Sequence, residues 1–76
     1  MSIFVIYDVL KKYHPLAVLS LDEDLNIYVC AEDDEMKAIK ELMNKYGCRV
    51  LNSGEENDKS VLTFCFDRIP DNLETL

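Results

Sequence analysis

The sharpest alternation of apolar and polar positions lies between residues 33 and 46. Met36, Ile39, Leu42, Met43 and Tyr46 recur at helical spacing, while Lys37, Lys40, Glu41, Asn44 and Lys45 fall on the opposite side. This stripe predicts an amphipathic helix. Its ends agree with it: Asp33, Asp34 and Glu35 put negative charge at the positive pole of the helix dipole, and Lys45 sits at the negative pole. Gly47 follows the last turn, where a left-handed residue closes a helix.

Residues 2–14 carry two competing periods. Ile3, Ile6, Leu10 and Tyr13 share one helical face, with Ser2 placed to cap the start and Pro15 to stop the end. Residues 3–7 are also rich in β-branched and aromatic side chains, as a buried strand would be. The helical period persists to Tyr13 with no turn signal at Asp8, so a helix is expected; the alternative is a fifth strand over 3–7.

Period-two patterns predict strands at 16–22 and 25–31, joined tightly through Asp22-Glu23-Asp24. A second hairpin is expected from strands at 48–53 and 60–67 around a polar loop at 54–59. In its second strand Leu62, Phe64 and Phe66 point one way and Val61, Thr63 and Cys65 the other. Residues 68–76 contain Pro70 and no periodicity, and read as a loosely ordered tail on a single domain of residues 1–67. The expected class is α+β in αββαββ order: a four-stranded, mostly antiparallel sheet with two helices on one face. Unrelated families share that order, and no motif ties the chain to one of them, so the fold by itself carries no function.

At 76 residues the chain is one domain, and it buries only about 60–65% of its unfolded surface, which leaves a thin margin of stability. Eight Lys and Arg against fifteen Asp and Glu give a net charge of −7. Direct nucleic-acid binding needs clustered cations and is not expected; a protein partner with a basic surface is. Cys30, Cys48 and Cys65 are too widely spaced for a CxxC motif and odd in number, so they read as buried thiols of a reducing, cytoplasmic compartment. No apolar run reaches the ~18 residues of a membrane span, and no secretory leader opens the chain.

Catalytic chemistry finds little support. His14, the single histidine, precedes Pro15 at a helix end and reads as a cap. None of the three cysteines sits where a thiolate would be stabilised. Residues 22–33 open like a calcium loop, but Ile27 occupies the position that needs glycine. No catalytic residue, metal site or cofactor is expected, and the chain reads as a non-enzyme.

The acids themselves are the distinctive feature. An antiparallel layout carries Glu32, Asp33, Asp34 and Glu35 to the same end of the sheet as Glu55, Glu56 and Asp58. The expectation is an inhibitor or regulator whose acidic pole docks on a basic, nucleic-acid-binding surface of its partner, imitating nucleic acid. The alternative is an assembly subunit that forms a homodimer through an apolar sheet face built from Tyr28, Val61, Thr63 and Cys65.

Overall fold

In the computed structural model, which describes residues 2–66, the helical period wins at the start of the chain. Helix α1 spans Ile3–Tyr13 and buries Ile3, Ile6 and Leu10 along one stripe. The Phe4 N–H donates to Ser2 Oγ at 3.1 Å, satisfying a first-turn donor that has no intrahelical partner. The backbone N–H of His14 donates to the Leu10 carbonyl at 2.8 Å, and Pro15 ends the ladder. Residues 3–7 therefore form no fifth strand.

The chain continues through β1 (Val18–Leu21), β2 (Ile27–Ala31), α2 (Asp33–Lys45), β3 (Cys48–Glu56) and β4 (Lys59–Phe66). All pairings are antiparallel and the strand order is β1-β2-β4-β3, so β2 and β4 are central and β1 and β3 form the edges. Gly47 adopts φ 81° directly after α2, the left-handed closure that its position predicts.

β2 sets the layering. Ile27, Val29 and Ala31 are buried, and Tyr28 and Cys30 between them are half-buried. The buried set joins Leu62 and Phe64 of β4, Ile6 and Leu10 of α1, and Ile39 and Met43 of α2 in one core. Each such aliphatic side chain contributes about 1.5–3 kcal/mol by leaving water. Both helices thus cover the same face of the sheet, and among the described residues nothing covers the other.

β3 departs from this pattern. Of its nine residues only Cys48 is buried. Its register against β4 shifts between Val50 and Asn52, a bulge at Leu51. A bulge twists and blunts an exposed edge against pairing with another chain.

The hairpins differ from expectation in their turns. The second closes in two residues rather than six. Glu56 pairs with Lys59, and Asn57 and Asp58 take φ 53° and 68°. Positive φ at both centres makes a type I′ turn, whose twist matches that of the strands, so β3 and β4 extend to the tip. The first connection is longer than predicted, running from Asp22 to Asn26, with Leu25 at φ 63°. Its strands are correspondingly shorter. The expected domain boundary at residue 67 and the tail at 68–76 lie outside the described residues.

Candidate functional site

The end of the sheet where β4 begins brings the two acidic segments together. Ser60 is the cross-strand neighbour of both Ala31 and Glu55. Its hydroxyl donates to Asp33 Oδ1 at 2.5 Å, tying the first turn of α2 to the hairpin. Beside it, Lys59 Nζ lies 4.0 Å from Glu32 Oε2 in an exposed pair that is worth about 0–1 kcal/mol at most. A shallow groove of about 850 Å³ runs between α2 and the hairpin, with Asp33, Asp34 and Glu55 on its flanks and Lys37 and Lys40 also on its wall.

The seven predicted carboxylates share that end but do not form one array. Glu35 turns toward α1, where its Oε2 lies 3.0 Å from Nδ1 of half-buried His14. This contact ties the end of α1 to the start of α2. Glu55 and Glu56, adjacent in an extended strand, point to opposite faces. Glu55 borders the groove, whereas Glu56 accepts a 3.4 Å hydrogen bond from the Tyr28 hydroxyl on the open face. Asp58 stands at the exposed hairpin tip. The period of two, carried on through residues 54–56, would have revealed this parting; no signal in the sequence pairs Glu35 with His14.

The four residues expected on an apolar sheet face do share one. Tyr28 pairs with Thr63, Cys30 with Val61, and Arg49 with Cys65, all on the side away from the helices. They are half-buried rather than covered, and Val18 extends the face at the β1 edge with 58% of its surface exposed. Cys30 and Cys65 therefore sit on the open face and not in the core. Cys48 alone of the three thiols is buried, and desolvation, aided by Cys65, pushes it up to about 11. Such a thiol is a poor nucleophile at neutral pH.

On the same face, over Gly54, lies a hollow of about 190 Å³ walled by Tyr28, Asn52, Glu56, Val61 and Thr63, with Ser53 and Glu55 also on its border. Partial desolvation and then the neighbouring Glu56 charge hold the Tyr28 phenol above its ordinary value.

Asp22, the first residue of the calcium-like segment, is engaged by its own loop. Oδ1 accepts from the Asp24 N–H at 2.9 Å and the Asn26 N–H at 2.8 Å, and Oδ2 accepts from the Asn26 amide at 3.1 Å. Among the described residues, no three His, Cys, Asp or Glu side chains are grouped to hold a metal ion, and no helix is long and apolar enough to cross a membrane. Neither protein-family models, nor curated proteins, nor solved structures give a match to this chain.

Proposed function

We propose that the protein is a non-catalytic binding module, an inhibitor or regulator, whose hairpin end docks against a basic surface of a partner protein. The observation that supports this most is the Ser60–Asp33 hydrogen bond, which fastens the acidic start of α2 to the acidic hairpin. Asp34 and Glu55 flank the resulting groove, and neither has an ion-pair or hydrogen-bond partner among the described side chains. A net charge of −7 accelerates encounter with a cationic surface, and carboxylates on both sides of a groove can stand in for a row of phosphates. A surface that ordinarily grips nucleic acid is such a target.

The test starts with capture of the partner from the native host, followed by affinity measurements with the purified pair over a range of salt. Asp34→Lys with Glu55→Lys is expected to weaken binding roughly tenfold or more at low salt and to flatten the salt dependence. A partner whose affinity ignores both substitutions and salt sinks the reading.

The open sheet face favours a second reading, an assembly subunit. Val18, Tyr28, Cys30, Val61 and Cys65 give a small domain apolar area that it could bury against a second copy. A salt-insensitive dimer in light scattering at tens of micromolar, broken by Val61→Lys, would put this reading first. A monomer removes it.

A further inference from the structure

We infer that the hollow over Gly54 is a subsite for one arginine side chain of the basic partner. The inference rests on the docking reading and adds to it the chemistry of one contact.

The glycine is the first argument. Its φ lies outside the left-handed region, and a Cβ built at Gly54 meets nothing within 4 Å. The backbone thus makes no demand for glycine there, and the missing side chain leaves room on the sheet surface.

The second argument is the unused capacity of Glu56. The residue facing it across the hairpin is Lys59, its natural cross-strand ion partner, yet the Lys59 ammonium lies beside Glu32 instead. The described partner of Glu56 is the Tyr28 hydroxyl at 3.4 Å, beyond the usual range of a good O–H···O bond. The carboxylate therefore retains acceptor sites for a stronger donor.

The third argument is shape. An aromatic ring beside a carboxylate suits a planar guanidinium, which stacks on the ring and forks onto the oxygens; a lysine ammonium makes only the point-charge contact. Asn52 and Thr63 add neutral oxygens on the wall, and Val61 gives apolar surface for the methylene stem. The chain's own Arg49 shares this face, but self-association of so acidic a protein is opposed by charge repulsion.

The experiment titrates N-acetyl-arginine methylamide, and in parallel its lysine counterpart, into the isotope-labelled protein and follows amide shifts by NMR. Saturable shifts centred on Asn52, Gly54, Glu56 and Val61 are expected, with arginine binding more tightly than lysine. Glu56→Gln and Tyr28→Leu should each weaken the arginine probe roughly fivefold or more. Gly54→Val fills the hollow, suits a strand and should abolish the shifts while the protein stays folded. Asp34→Lys alone should leave the probe's affinity within about twofold, because Asp34 borders the other groove and not the hollow. The inference is overturned if the shifts instead track Asp33, Asp34 and Lys37, which line only the other groove, if Glu56→Gln leaves them intact, or if no saturable shifts occur. It is also overturned if the hollow fills without probe in a concentration-dependent way that Arg49→Gln removes, which would assign it to a second copy. The readings fail separately: docking fails on partner affinity in the groove variant, the subsite on probe affinity in the Glu56 variant.

Discussion

The β1–β2 hairpin turns through Asp22-Glu23-Asp24 and the β3–β4 hairpin through Asn57-Asp58, at opposite ends of one sheet. Both turns are acidic, and both hold non-glycine residues at positive φ. In the first, a carboxylate is the scaffold: three donors converge on Asp22 and hold the loop that carries Leu25 in its left-handed conformation. In the second, a two-residue turn closes by backbone geometry, and Glu55, Glu56 and Asp58 serve no comparable fold-holding purpose. The strands differ in the same sense. β2 alternates buried and half-buried residues beneath the helices, while β3 lies almost wholly in solvent. Equal acidity therefore means structure at one end and available surface at the other.

Phe64 allows the sharpest test, because it has Ile27 of β2 on one side and Val50 of β3 on the other. Ile27 is fully buried; Val50 is 43% exposed. Ile27→Ala is expected to cost about 2–5 kcal/mol, enough to exhaust much of the stability of so small a domain, and Val50→Ala less than about 1 kcal/mol. Urea denaturation at neutral pH measures both. Equal losses would mean that the edge strand is as firmly packed as the centre, and the contrast between the hairpins would go.

Asp22→Ala should have a smaller effect, with a pH signature. The hydrogen bond from the Asn26 backbone, aided by the Asn26 side chain and the Asp24 N–H, holds the Asp22 carboxyl below its ordinary value. A carboxylate depressed in the folded state stabilises fully above its unfolded value of about 3.9 and loses that contribution as pH falls through the folded value. The stability gap between wild type and Asp22→Ala is therefore expected at pH 7 and should narrow below about pH 4. A gap that stays constant or widens on acidification would deny Asp22 its scaffolding role. Glu55→Gln at the other hairpin should change stability by no more than about 0.5 kcal/mol at pH 7.

The parts of the fold legible in sequence are those where several local signals agree. In α2 the apolar stripe, the acids at the first turn, Lys45 at the last and Gly47 beyond it point the same way. In α1 periodicity had to outweigh β-rich composition, and it did because Ile3, Ile6 and Leu10 must share one buried stripe. The second turn was hidden by polarity. Residues 54–59 look like a loop because β3 is an edge strand with both faces in solvent, so its tip needs no apolar residue, and the turn signal is confined to Asn57-Asp58. At the candidate site, antiparallel layout was enough to bring residues 32–35 and 55–58 to one end. Which of them face the groove depends on strand register, and the loss of Glu35 to His14 depends on how α1 packs against α2, a long-range matter that no local pattern encodes.

Substitutions at the tip of the second hairpin separate turn geometry from turn charge. Asp58 sits at φ 68°, a region that costs residues with a Cβ about 1 kcal/mol or more and that Asp and Asn tolerate better than most. Asp58→Gly removes that cost and creates the Asn-Gly pair that type I′ turns prefer, against the extra entropy glycine gives the unfolded chain. A net gain of about 0.5–1 kcal/mol in urea denaturation is expected. Asp58→Asn removes the charge but keeps the left-handed tolerance, and should leave stability within about 0.5 kcal/mol. Asp58→Ala removes both and should destabilise. If Asn and Gly stabilise equally, repulsion among the hairpin acids, not backbone strain, governs the tip. The acids at this end would then carry a cost to the fold that the ones around Asp22 do not, which is the sign expected of residues kept for contact with something else.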